Sequence, residues 1–461
     1  MVNWYPLCFR SDGTLAFPNQ IDEQGRILTA LRDQPDGLVT DLWILSYGWN
    51  MSVQAGITFY NQWVPLLQAE IQKANLQNYN PMFVGVFWPS KILPDTSGGS
   101  DQLPQSATAS PVLPPGLGDR THFIQAHRPI FDPEQKQDDV VYEQDFGRIY
   151  DFIASPDIQD QQQVHTFVDT LKKYQQQDPH AEQLEPENVI DMEASALAGM
   201  LPSALTSLED AGKTVGDGLL EFLRVFSFWT MKGRAGTVGA NGLAPFLAKV
   251  QQLQAQRQPA LRIHLMGHSF GAKLLTSAVY ATADIPGVSQ PVVTTLILFQ
   301  GAFSQFSFSR NIPGRPGVAG FYTKVVEQGL VATPVTAIYS TRDLANSSLY
   351  PVGMAPVLEQ FIFRDGDLPD DPSGYRISNE LRGAIGANGV QGFDMSQMGF
   401  VALPWSEELD QRKLAAARCI NVNRSRVVSN MPDLLIGTHN DYREPELFRA
   451  ALKVSLLKRG E

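Results

Sequence analysis

Ser269 is the residue best placed in this chain to do covalent chemistry. It stands at the centre of Gly267-His268-Ser269-Phe270-Gly271, between the apolar run Leu261 to Met266 and the helix-compatible run Ala272 to Tyr280. The pattern predicts strand, sharp turn and helix, with the serine hydroxyl held above the sheet edge. The flanking glycines let strand and helix approach closely. A serine hydroxyl is a poor nucleophile at neutral pH. It needs a histidine to take its proton and a carboxylate to fix that histidine's tautomer. For a nucleophile on this kind of turn the chain order is serine, acid, histidine.

Of seven histidines, His439 alone follows the turn, in Gly437-Thr438-His439-Asn440-Asp441 beyond the last predicted strand. It is the expected base. Ten aspartates follow Ser269, and Asp343 is the expected acid because Ser340-Thr341-Arg342 joins it directly to the buried strand Val335 to Tyr339. Asp433 and Asp441 lie nearer His439 in sequence and are alternatives, or caps for the last helix. The tetrahedral oxyanion calls for two backbone N–H donors. One is expected from Phe270, after the nucleophile. The other is expected from Trp49, in the Tyr47-Gly48-Trp49-Asn50 stretch that ends an earlier strand. Tyr47 is expected beside the substrate. His268 points away from the serine at such a turn and is not assigned as base.

The elements that must position these groups follow from hydrophobic periodicity. Leu42 to Ser46, Met82 to Phe87, Leu261 to Met266, Thr294 to Phe299, Val335 to Tyr339 and Cys419 to Val422 are short, continuous apolar runs of the kind buried in a parallel sheet. Helices are predicted near Gln20 to Arg32, through Tyr60, Trp63, Leu67 and Ile71 with a kink at Pro65, through Leu243 to Leu253, and from Pro445 to Leu457. The alternation predicts a doubly wound, mostly parallel α/β fold.

From Lys91 to Pro186 the alternation breaks, and Tyr142 to Lys173 reads as polar helix. The acidic residues Asp138, Asp139, Glu143 and Asp145 read as solvated surface. The run Leu219 to Trp229 is the most apolar helical stretch; Phe226 and Trp229 are candidate walls of an acyl pocket, with packing as core the alternative. Three parts are expected: 1–90 and 231–461 forming the α/β core, and 91–230 forming a helical cap that sets substrate size.

A length of 461 residues and 43% apolar content suit a large core. The net charge of −12 excludes simple electrostatic binding of nucleic acid. Apolar runs are too short to span a bilayer, and the N-terminus lacks the basic and long apolar regions of a signal peptide. Cys8 and Cys419 are expected to be reduced, so a cytoplasmic protein is expected. No pattern asks for a metal or cofactor, and oligomeric state is left open.

The Gly267-His268-Ser269-Phe270-Gly271 turn resembles the lipase and esterase version found in the α/β-hydrolase superfamily. Tyr47-Gly48-Trp49-Asn50 resembles that family's His-Gly oxyanion loop, with Tyr47 where histidine is common. Trp88-Pro89-Ser90 and Met231-Lys232-Gly233-Arg234-Ala235 are similar to segments of its serine-esterase-like members. The resemblance covers about residues 40–90, 225–345 and 415–457. It implies a serine hydrolase acting on a small-molecule or lipid ester through Ser269, Asp343 and His439, without a cofactor. A thioesterase, amidase or peptidase would use the same residues. A non-catalytic binding protein of this fold is the other alternative.

Overall fold

The computed structural model describes residues 4–17, 23–33, 38–90, 119–133, 135–176, 215–254, 260–312, 317–343, 345–346, 383–427 and 438–457. Among them, eight strands form one all-parallel sheet. They are β1 (Tyr5–Cys8), β2 (Asp41–Ser46), β3 (Pro81–Phe87), β4 (Arg262–His268), β5 (Thr295–Phe299), β6 (Val335–Tyr339), β7 (Met398–Ala402) and β8 (Cys419–Asn423). Their order across the sheet is β1-β3-β2-β4-β5-β6-β8-β7. The six apolar runs read from sequence are β2, β3, β4, β5, β6 and β8. The edge strands β1 and β7 were not among them. Their residues, Tyr5-Pro6-Leu7-Cys8 and Met398-Gly399-Phe400-Val401-Ala402, are apolar too, but each is short, half-buried in places and interrupted by proline or glycine.

The helices are α1 (Glu23–Asp33), α2 (Val53–Ala74), α3 (Arg120–Phe131), α4 (Asp139–Ala154), α5 (Gln161–Gln176), α6 (Val215–Thr237), α7 (Ala244–Gln254), α8 (Phe270–Thr282), α9 (Thr323–Glu327), α10 (Ile385–Asn388), α11 (Gln411–Ala416) and α12 (Pro445–Ser455). A π-helical turn, Val238–Leu243, joins α6 to α7. Ser52 caps α2, its hydroxyl accepting from the Ala55 amide. That helix runs through Pro65 to Ala74, because packing of Tyr60, Trp63 and Leu67 in the core outweighs the one ladder bond a proline removes.

Adjacent residues of a strand face opposite sides of a sheet, and β4 shows what covers each side. A Cβ on Gly267 would meet the Gly271 carbonyl of α8 at 2.5 Å, while the His268 ring lies 6.3 Å from Phe59 of α2. Helices α7 and α8 pack with the π-helical turn on one face; α2 and α12 pack together on the other. The sheet is buried on both faces, which is why its interior strands read as unbroken apolar runs.

Between β3 and β4 the described chain is helical. Helix α6 packs against α8 on one side and against α3, α4 and α5 on another. Phe123, Phe131, Tyr142, Phe146 and Tyr174 make an aromatic core within this group. No helix among the described residues is long and apolar enough to cross a membrane.

Candidate active site

Strand succession runs outward in one direction from β2 and in the other from β4, so the sheet reverses between them. Crevices at the carboxyl ends of strands beside such a reversal are where α/β sheets bind ligands. Gly48 follows β2 there, and Ser269 follows β4.

Ser269 takes φ 56° and ψ −123°, a backbone conformation that side-chain-bearing residues rarely adopt. Three glycines make room for it. A Cβ on Gly271 would lie 2.4 Å from the Ser46 and Tyr47 carbonyl oxygens, and one on Gly48 would lie 2.7 Å from Ser269 Cβ. The sharp turn exists because strand, helix and the Gly48 loop all press against it without side chains at the contacts. The Ser269 amide donates to the Phe299 carbonyl at 3.0 Å, fixing the turn to β5.

The three residues singled out from sequence meet at this turn. His439 Nε2 lies 3.0 Å from Ser269 Oγ, and His439 Nδ1 lies 2.9 Å from Asp343 Oδ2. Ser269 and His439 are each 5% exposed and Asp343 is fully enclosed. Asp343 accepts from the Asn346 amide at 3.0 Å, from Asn346 Nδ2 at 2.7 Å and from Gln300 Nε2 at 2.8 Å. Its two oxygens are thus held by several donors, leaving one direction for the histidine. A proton on Nδ1 is directed to the carboxylate, so Nε2 presents a lone pair to the serine.

Behind this set lies a network that sequence reasoning missed. Arg424, immediately after β8, has no solvent exposure. Its Nη1 donates to Gln300 Oε1 at 2.9 Å and to the Thr438 carbonyl at 3.3 Å, and its Nη2 pairs with Asp441 at 3.1 Å. Burial lowers the Arg424 pKa, while Asp441 and Asp343 oppose the shift. Asp441 is therefore neither the acid nor a helix cap; Glu444 occupies the N-cap of α12. Asp433 lies outside the described residues. His268 Nε2 donates to the His439 carbonyl at 2.8 Å. Burial, with His439 close by, holds its imidazole well below the usual value, and the hydrogen bond ties the His439 backbone to β4.

The Phe270 amide opens α8, where helical N–H groups lack intrahelical acceptors. In the Gly48 loop, the Asn50 amide donates to the Ser90 carbonyl at 2.8 Å and the Met51 amide to Ser90 Oγ at 3.1 Å. Both are engaged away from Ser269. Tyr47, expected beside the substrate, is 1% exposed and contributes to the wall of the cleft described below; its hydroxyl donates to the Trp88 carbonyl and accepts from the Trp88 amide, both at 3.0 Å. It braces the loop from below.

Phe226 and Trp229 lie on α6, and their side chains are outside the described residues. Phe228 on the same helix reaches the site. Its ring is 5.0 Å from Phe270 and 5.9 Å from Trp49. Separately, a cleft of about 640 Å³ lies between the Tyr47–Val53 and Trp88–Ser90 segments and the end of α3, near Arg128 and Asp132.

Asp138, Asp139 and Glu143 are exposed, as expected of solvated surface, whereas Asp145 is corrected: it is buried, because α5 covers it. Asp138 caps α4, Asp139 pairs with Arg128, and Asp145 pairs with Lys173. Among the described residues no group of three or more metal-binding side chains converges, and Cys8 and Cys419 are both free. Comparison of the chain with protein-family profiles, curated proteins and solved structures returned no match.

Proposed function

We propose that this protein is a serine hydrolase of the α/β-hydrolase kind, cleaving a small-molecule or lipid carboxylic ester through an acyl-enzyme. The observation that carries the reading is the unbroken Ser269–His439–Asp343 relay, with contacts of 3.0 and 2.9 Å. Ser269 Oγ attacks the ester carbonyl carbon as its proton passes to His439 Nε2. The oxyanion is received by the Phe270 and Trp49 amides; Asn50 and Met51 are spent on Ser90, which leaves Trp49 to serve. Collapse breaks the bond to the alkoxy group, which leaves as an alcohol with the proton from Nε2. Water then enters, gives a proton to Nε2 and attacks the acyl carbon, and Ser269 recovers its proton as the carboxylic acid departs. Asp343 keeps the imidazole in the required tautomer and stabilises the imidazolium. Free cysteines support a reducing compartment, the cytoplasm, as its location.

Incubation with a fluorophosphonate followed by intact-protein mass spectrometry tests the reading. One adduct is expected on the wild type and none on Ser269→Ala. Equal labelling of both, or none of either, rejects it. A panel of esters, thioesters and amides then separates the leaving groups.

A further inference from the structure

Arg234 belongs to a segment that the reaction leaves without a role. It lies near the end of α6 and is 2% exposed. Its guanidinium reaches three backbone carbonyls on two different parts of the chain. Nη1 donates to Pro89 at 2.9 Å and to Pro129 at 3.3 Å, and Nη2 donates to Ile130 at 2.5 Å. Pro129 and Ile130 end α3, where carbonyls lack intrahelical donors. Pro89 follows β3 and precedes Ser90. Ser90 in turn holds the next loop at two places: its carbonyl accepts from the Asn50 amide, and its hydroxyl bonds the Met51 amide and carbonyl, each at 3.1 Å. Trp49 is one residue away from Asn50.

We propose that Arg234 is a positioning residue of the hydrolase reaction, setting the Trp49 oxyanion donor from the helical layer through Pro89 and Ser90. This rests on the hydrolase reading above. A planar guanidinium with several N–H donors can fix two carbonyls in one geometry, which a lysine ammonium on a flexible stem does not reproduce. The donor's placement matters because an oxyanion hole works only if its N–H groups already point where charge develops. The arrangement ties the seat of α3 to the state of the loop, so displacement of that helix is transmitted to the site.

The test uses R234K, S90A and the double variant of the full chain. Expected for R234K is a fall in kcat of about 10- to 100-fold on a short ester, with KM changed by no more than about twofold. Affinity for a trifluoromethyl ketone, whose adduct places an oxyanion in the site, should weaken in step with kcat. S90A should do the same, and the double variant should lose little more than the worse single one, because both act through one loop. Unchanged kcat and ketone affinity in R234K, or losses that multiply in the double variant, overturn the proposal. If R234K does not fold, R234Q, whose amide keeps one donor for these carbonyls, decides: unchanged kcat and ketone affinity there overturn the proposal. Failure of the wild type to take the fluorophosphonate rejects the hydrolase reading itself, whereas a labelled wild type with unaffected variants rejects only the role of Arg234.

Discussion

The loop that carries His439 is touched directly by buried charge, whereas the loop that carries Trp49 is touched by neutral groups and close packing, with the buried Arg234 one step behind them on Pro89. Around His439, Arg424 grips the Thr438 carbonyl and Asp441, and Gln300 joins Asp343 to the Thr438 carbonyl at 3.2 Å. Around Trp49, the fixings are the Tyr47 hydroxyl on Trp88, Ser90 on Asn50 and Met51, and Gly48 against Ser269. The difference matches what each loop must tolerate. In the proposed reaction His439 becomes a cation. With Asp343 and Asp441 both facing Arg424, its arriving charge meets a carboxylate inside the enclosure. In that reaction the Trp49 amide never changes charge and needs only a fixed direction, which its immediate neighbours supply by neutral hydrogen bonds and contact.

The largest expected effect comes from breaking the charged side at its centre. Asp343→Asn should fold and lose about 10^4-fold in kcat, since the wrong tautomer is then favoured. Steady-state kinetics with a short ester checks this; a loss under tenfold would mean that another carboxylate serves the histidine.

On the neutral side the corresponding break is steric. Gly48→Ala places a Cβ 2.7 Å from that of Ser269 and 3.1 Å from His268 Nδ1, so the loop or the serine must move. A displacement of that kind should cost about 10^2-fold in kcat while circular dichroism stays unchanged. Activity equal to wild type would show that the two backbones are not in this register.

Asp441→Asn sharpens the contrast through stability. It leaves the enclosed Arg424 without its carboxylate partner at 3.1 Å, and breaking such a pair costs about 3 kcal/mol. The matching neutral change, Tyr47→Phe, removes a hydroxyl from two Trp88 backbone groups and should cost about 1–2 kcal/mol. Urea unfolding of both variants decides it. If Tyr47→Phe is the more costly, buried charge is not what distinguishes the loops.

An effect confined to low pH is expected at His268, which touches both loops. Burial keeps it neutral in the folded protein, well below its ordinary pKa of 6.5. Below about pH 6.5 the unfolded chain binds a proton that the folded one refuses, so stability is full above this range and falls as pH drops through it, by up to about 1.4 kcal/mol per pH unit for one group. His127, within the α3–α5 layer and pushed down to about 4 by burial, acts with the same sign. Unfolding midpoints at pH 7 and 5 should therefore differ less in His268→Gln than in the wild type. An equal difference would assign the effect to His127.

The legible part of this site was the part encoded locally. Gly267, Ser269 and Gly271 sit within five residues, and the apolar runs on either side identify strand and helix. His439 stood out because histidine is scarce after Ser269, and Asp343 because a buried strand leads straight to it. Gln300, Asn346 and Arg424 gave no such signal. They come from three loops that meet only when β5, β6 and β8 lie side by side. The bracing by Tyr47 was hidden for the same reason: its nearness to Gly48 is visible in sequence, but its hydroxyl's engagement by Trp88, 41 residues away, is not. Phe228 was one aromatic among several on α6. The packing of α6 against α8 brings its ring to Phe270 and Trp49.

The covalent intermediate offers the most direct measurement. Rapid mixing with a p-nitrophenyl ester, with acid quenching and mass spectrometry of the protein, should show a burst of about one equivalent of nitrophenol. One acyl group should be found on the peptide containing Ser269, absent in Ser269→Ala. Turnover without any acylated Ser269, or an acyl group carried on another residue, would contradict the account.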